Sequence, residues 1–275
     1  MKKDNGGFLS RLIALSAASS FVFGAGAAAA ADLSAGEIVS KAHLNYYYAG
    51  DDGRAEIVMR LINEKGREQL RELTMLKKDI KDGGAQKYFV FFHKPDDVRG
   101  MTFMVWKNVE ADDDRWLYVP AIHLIKRVAA SDKRSSFVGS DFTYEDVSGR
   151  PVADDKHELV KEEKLNKADC YVVKSTPKDR DTEYAYRIAW IDRDRFLPLK
   201  EEYYDARGEL IRTFEAAELK TIQGILTVTR RVMKNVKTGH RTEVTFGKVE
   251  YDLGIPEDVF TERYMERPPR KWFEK

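Results

Sequence analysis

A single cysteine, Cys170, stands in the 275-residue chain, so no internal disulfide can form and the fold must be held by its core. Its neighbours in "DCYVVKS" read as strand, which makes Cys170 a buried bystander rather than a reactive thiol. Histidine is almost as sparse. His43, His93, His123, His157 and His240 fall one to an element, with no H-x-H or H-x-x-x-H spacing and no Cys/His cluster, so no metal site is expected. The three acids of "ADDDRW" lack the spacing and distal Glu of a calcium loop, and a solvated hairpin turn explains them better. Charge of one sign is missing too: 47 Lys and Arg against 46 Asp and Glu leave no footprint for nucleic acid. Neither a G-x-G-x-x-G nor a Walker pattern occurs, so nucleotide chemistry is unsupported and no cofactor is implied.

Long apolar runs are absent after the first thirty or so residues. Lys2, Lys3 and Arg11 flank or precede the run from Leu12 to Phe23, and Ala29 to Ala31 offer an A-x-A cleavage site. Residues 1–31 are therefore expected to be a removed secretory signal, because the run is shorter than the roughly 20 residues of a membrane span and a polar sequence follows. Losing three basic residues and Asp4 takes the formal charge from +1 to −1. No Cys adjoins the cleavage point, so the acceptor for a lipid anchor is lacking and the mature protein is expected to be soluble and unanchored.

What remains is mostly strand. "LSAGEIVSKAHLNYYYAGDDG" opens with one amphipathic helix, for Ser34 and Glu37 have capping-box spacing and Ile38, Ala42, Tyr46 and Ala49 recur at helical intervals. Period two then takes over. A first series runs from "AEIVMRLI" through "QKYFVFFH" and "GMTFMVW" to "RWLYVP" and "HLIKRV", and a second from "KHELVKEEK" to "RTEVTFGKVEYD". Turns such as "NEKG", "KPDD", "DARG" and "KTGH" are too short for helical crossovers, so neighbours are antiparallel. The expectation is a mainly β fold: one domain over residues 32–275, a single curved antiparallel sheet or half-open barrel of roughly eleven to thirteen strands.

One interruption, about residues 129–153, separates the two series. Ser140 or Asp141 is placed to cap a short helix through "FTYEDV", and Gly149-Arg150-Pro151 to end it. Gly139-Ser140-Asp141 lacks the G-x-S-x-G elbow of a serine nucleophile, and the adjacent Glu145 and Asp146 point about 100° apart on a helix, unlike paired glycosidase carboxylates. No catalytic residue is assigned. On the strands, Tyr88, Val90 and Phe92 alternate with Phe89 and Phe91, so both faces are buried against something. With Phe89 and Phe91, the residues Met101, Phe103, Met104, Trp106, Trp116 and Tyr118 are candidates to line a cavity on the second face, although ordinary core packing explains any one of them.

The stretches "PDDVRGMTFMVW", "DDRWLYVPAIHLIKR" and "FVGSDFTYEDV", in that order, with the late "YDLGIPEDVFTERYMER", resemble the periplasmic outer-membrane lipoprotein-sorting family, the LolA/LolB-like proteins. The likeness is to the branch that accompanies resistance-nodulation-division (RND, MMPL-type) exporters. It implies a half-open barrel covered by helices, a periplasmic location, and an apolar cavity for lipid or lipoprotein acyl chains. Implied partners are an inner-membrane RND/MMPL-type transporter or an outer-membrane acceptor.

On that resemblance residues 129–153 become a lid, with Gly139 making the turn, Asp141 capping, and Phe142 and Tyr144 facing the interior. Arg99, Arg115, Lys126 and Arg127 are candidates to meet a lipid head group or to pair with nearby acids. The expected function is a non-enzymatic carrier of a hydrophobic molecule. A sensor or regulatory module of the same fold is the alternative, and a hydrolase with dispersed catalytic groups the third.

Overall fold

The computed structural model describes residues 33–81, 83–179 and 182–274, so the expected signal segment, 1–31, lies outside the described residues. Helix α1 (Ala35–Tyr47) starts at a reciprocal cap: the Ser34 N–H donates to the Glu37 carboxylate at 2.8 Å, and the Glu37 N–H donates to Ser34 Oγ at 3.3 Å. Tyr48 closes the helix, which places Ala49 beyond it.

Thirteen strands follow. They are β1 (Asp52–Ile62), β2 (Glu68–Asp79), β3 (Gln86–Lys94), β4 (Thr102–Lys107), β5 (Asp114–Val119), β6 (Leu124–Arg127), β7 (Asp155–Leu165), β8 (Ala168–Pro177), β9 (Tyr186–Asp192), β10 (Pro198–Tyr204), β11 (Leu210–Ile222), β12 (Ile225–Asn235) and β13 (Arg241–Tyr251). They form one sheet in the order β6-β5-β4-β3-β2-β1-β13-β12-β11-β10-β9-β8-β7, antiparallel throughout. Short turns enforce nearest-neighbour pairing within each series, and the β1–β13 pair joins the two. Bulges between Ala55 and Ile57, between Ala216 and Leu219, and between Leu159 and Lys161 add the local twist that bends such a sheet. The sheet is curved and open, as the alternation of the sequence predicts.

This order makes β6 and β7 the two margins, although they are consecutive in sequence. The chain between them has no choice but to cross from one margin to the other, and residues 128–154 do so. Both margins carry features that discourage further strand pairing: β6 is only four residues long, and β7 is studded with Lys156, Glu158, Lys161, Glu162 and Lys164.

The two faces are covered by different parts of the chain. Ala55, Ile57, Leu73, Tyr88, Phe92 and Phe103 point to the concave face and pack beneath Phe137 of the crossing segment, while α1 lays Ile38, Val39 and Ala42 on Val173, Ala189 and Ile191. On the convex face Leu76, Phe89, Met104 and Trp116 pack against Phe260, Met265, Trp272 and Phe273. The last two pairs belong to α3 (Arg263–Glu266) and α4 (Arg270–Phe273) and their flanks. Hydrogen bonds fasten this C-terminal segment: Thr102 Oγ1 donates to the Met265 carbonyl at 3.0 Å, Trp106 Nε1 to the Phe260 carbonyl at 2.8 Å, and Arg54 Nε to the Trp272 carbonyl at 2.9 Å. Each large apolar side chain buried there contributes about 1.5–3 kcal/mol. Strands β2 to β5 are thus apolar on both sides because both sides are covered.

Within the crossing segment the short helix α2 (Tyr144–Ser148) is capped by Thr143, not by Ser140 or Asp141. The Thr143 N–H donates to Asp146 Oδ2 at 2.8 Å and the Asp146 N–H to Thr143 Oγ1 at 3.1 Å, a capping box four residues wide that sets the start of the helix. Gly149 ends it at φ 81°, where a Cβ would lie 2.7 Å from the Tyr47 ring. Only glycine fits between α1 and this turn. Among the described residues no helix is long and apolar enough to cross a membrane.

Candidate ligand cavity

Between the concave face and its two covers lies a hollow in two adjoining compartments. The first, about 140 Å³, is mainly apolar, with Ala55, Ile57 and Met59 of β1, Leu73 and Met75 of β2, and Val244, Phe246 and Val249 of β13 around it. Alternation places every second residue of β1 and β2 on this wall, and on β13 the bulge opposite Ala55 and Ile57 brings Val249 onto it after Val244 and Phe246. The second, about 100 Å³, is polar: Arg187 of β9, Glu201 and Tyr203 of β10, Arg212 of β11, and Arg150, Glu145 and Tyr184 meet there. Tyr46, Tyr47, Phe142, Asp146 and Arg231 line both. An apolar cavity of about 150 Å³ accepts a benzene-sized guest. Each compartment, as it stands, has room for no more than a short stretch of an apolar or amphipathic molecule.

The polar compartment is dense in ion pairs. Arg150 Nε donates to Asp155 Oδ1 at 2.8 Å and its Nη1 to Glu145 Oε1 at 3.3 Å, Arg187 Nη1 donates to Glu201 Oε1 at 3.2 Å, and Arg212 Nη1 to Asp146 Oδ2 at 3.2 Å. Such pairs hold one geometry because removing either partner strands a buried charge. Burial, reinforced by Lys107 and Arg187, pushes His43 down to about 3, so its imidazole is neutral. Burial likewise raises the Tyr46 and Tyr184 phenols to about 12, and they remain protonated hydroxyls. The buried Nε atoms of Arg187 and Arg231 have no hydrogen-bond partner.

The crossing segment closes the hollow. Phe137 is buried against Phe92 and Phe103, with ring centroids at 6.0 and 5.3 Å, and Tyr144 packs tilted against Phe103 and edge-on to Phe137. Phe142 packs with the β1–β4 cluster and also with the cluster of Tyr203, Phe214 and Met233, so it spans the two halves of the sheet. Gly139 turns the chain at φ 79°, over Arg71, which is buried outside both compartments. Asp141 is bonded to Thr242 and His240 near the start of β13.

The eight residues expected to line a cavity do not line this hollow. Phe89, Met104, Trp116 and Tyr118, with Phe91 and Trp106 beside them, face the convex side under the C-terminal segment, and Phe91 borders a surface hollow with His93 and Phe273. Met101 and Phe103 lie in the concave cluster but away from both compartments. The physical reason is that period two separates two faces of a strand without saying which is concave. Of the four lid residues only Phe142 reaches the hollow; Tyr144 supports the aromatic stack, Gly139 makes the turn, and Asp141 braces the segment instead of capping α2. The four cations lie elsewhere too: Arg99 pairs with Asp96, Arg115 with Asp113 at 2.6 Å and Arg127 with Asp114, while Lys126 is exposed. Ser140 Oγ is engaged by the backbone of Phe142, and Glu145 by Arg150.

The residues missed from sequence are the inward arginines and tyrosines of the second series. Their signal was present in "YAYRIAWI" and "RRVMKN", where a charge sits at an inward strand position.

A family model described as an "Uncharacterized protein"-like family matches residues 84–267. No curated protein matches the chain. Among solved structures, the chain is similar to an outer membrane lipoprotein-sorting protein domain from Vibrio parahaemolyticus, with 29% identity over 85% of this chain and 98% of that one, at a TM-score of 0.78. It is also similar to a DUF1329 family protein from Desulfovibrio piger, with 29% identity over 83% of this chain and 97% of that one, at a TM-score of 0.76. The LolA superfamily protein NE2245 from Nitrosomonas europaea shares the fold at 22% identity over 84% of this chain and 99% of that one, with a TM-score of 0.66. The match over residues 84–267, two thirds of the chain, makes this chain a member of that family, and its curved open sheet is the fold it shares with the DUF1329 family protein and the LolA superfamily protein.

Proposed function

We propose that this protein is a periplasmic carrier: it shelters an apolar chain in the hollow of its open sheet and moves it between membranes, or to or from an RND-type exporter. The observation that carries the reading is the apolar compartment itself, an unfilled space walled by β1, β2 and β13 and roofed by Phe142 and Val147. A core built only for stability fills such space, because voids lose the contacts of their lining atoms.

The energetics fit transport. Each exposed CH₂ costs about 0.8 kcal/mol, so a chain of about fifteen carbons costs on the order of 12 kcal/mol to hold in water. The closed compartments are too small for such a chain, so loading requires the crossing segment to move. That segment is held by a few side chains, Phe137, Asp141 and Asp146 among them, rather than by a strand ladder. Native mass spectrometry of protein purified without detergent tests the reading. A lipid-sized adduct, or capture of a fluorescent fatty acid by stripped protein, supports it. Protein that is empty as purified and refuses every apolar chain offered overturns it.

A further inference from the structure

We infer that the guest of this hollow is an amphiphile with an anionic head, and that Arg231 holds the head at the junction of the two compartments; the inference rests on the carrier reading above. Cations around the hollow are otherwise neutralised. Arg54, Arg134, Arg150, Arg187 and Arg212 each pair with a carboxylate, and Lys77 donates to Asp79 and to the Tyr47 and Gly50 carbonyls. The Arg231 side chain makes no ion pair and no hydrogen bond among the described residues, and its Nε is buried without a partner.

The way it is held points to what it takes. Its guanidinium carbon lies 4.4 Å from the Tyr46 ring centroid and 4.3 Å from that of Phe246. Two aromatic rings thus lie against the guanidinium, while its hydrogen-bond donors go unused. A planar edge of N–H donors matches a carboxylate or phosphate in two parallel hydrogen bonds. Arg231 also walls both compartments, so an anion on it has the apolar compartment directly alongside for its chain. That compartment, at about 140 Å³, takes the part of the chain next to the head, and the remainder follows only when the crossing segment moves. A neutral acyl chain leaves the donors of Arg231 unused, whereas an anionic head takes them up.

Titration of delipidated wild-type protein with palmitate, hexadecyl phosphate and hexadecanol tests this. The two anions are expected to bind about tenfold or more tighter than the alcohol. Palmitate ahead of hexadecyl phosphate identifies the head as a carboxylate, and the reverse order as a phosphate. In Arg231→Gln the anions lose that advantage over hexadecanol, and Arg231→Lys keeps part of it. Equal affinity of the wild type for all three, a comparison that needs no variant, overturns the inference while leaving the carrier reading standing. So does an equal loss for all three in a folded Arg231→Gln. Binding of none of the three to wild-type protein overturns both.

Discussion

Asp141 and Thr242, 101 residues apart, bond to each other twice: the Asp141 N–H donates to Thr242 Oγ1 at 3.0 Å, and Thr242 Oγ1 donates to Asp141 Oδ2 at 2.8 Å. His240 Nδ1 lies 2.6 Å from the same carboxylate oxygen. Thr242 is fully buried, so the exchange takes place out of water. It pins the crossing segment to β13 at one point.

Replacing Thr242 by valine keeps the shape and removes both bonds. A loss of about 1–3 kcal/mol is expected, since the Asp141 groups are left partly unsatisfied. Hydrogen exchange over residues 136–143 should accelerate more than exchange in β1 or β13, and a bound fluorescent fatty acid should dissociate faster. Uniform acceleration across the whole sheet counts against a local clamp.

Phe137 and Phe142 lie five positions apart and are expected to behave differently. Phe137→Ala empties a buried site among Phe92, Phe103 and Tyr144 and should cost about 3–5 kcal/mol in denaturant unfolding. Phe142 is only partly buried and lines both compartments, so Phe142→Ala should cost less stability and weaken ligand retention more. Parallel losses in the two variants contradict a roof distinct from its anchor.

Ala55 looks into the apolar compartment from β1. Leucine there places new methyl groups in existing space instead of displacing packed atoms, so stability should stay within about 1 kcal/mol of the parent. Binding of a long-chain ligand should fall by an order of magnitude or more. A large drop in stability with binding intact indicates that the space is not where the chain goes.

His43 sets a pH dependence. Its folded value, about 3, lies below its ordinary 6.5, so between those limits the unfolded chain binds a proton that the folded protein refuses. Stability is therefore lost as pH falls from about 6.5 towards about 3, by up to about 1.4 kcal/mol per pH unit. His43→Gln should flatten the slope of unfolding free energy between pH 6 and pH 4. An unchanged slope assigns the acid sensitivity to other groups.

Much of the architecture is written in local signals. The Ser34–Glu37 box, the short turns and the period-two runs predict the first helix and an antiparallel meander, and the break between the two series marks the segment that crosses the hollow. The wall of the hollow was not legible in the same way. Phe89 and Phe91 are apolar because the C-terminal segment covers them, and that covering depends on contacts more than 150 residues away in sequence, such as Trp106 with Phe260. Arg187, Arg212 and Arg231 look like ordinary strand charges until curvature gathers them at one place. The cap of α2 was misplaced because Thr143 and Asp146 compete with Ser140 and Asp141 for the same role, and the reach of Asp141 to Thr242 decides between them.

Since β6 and β7 are the outer margins and a single run of backbone connects them, the vessel and its cover form one mechanical loop. Whatever shifts one margin relative to the other therefore acts on a segment that also roofs the apolar space.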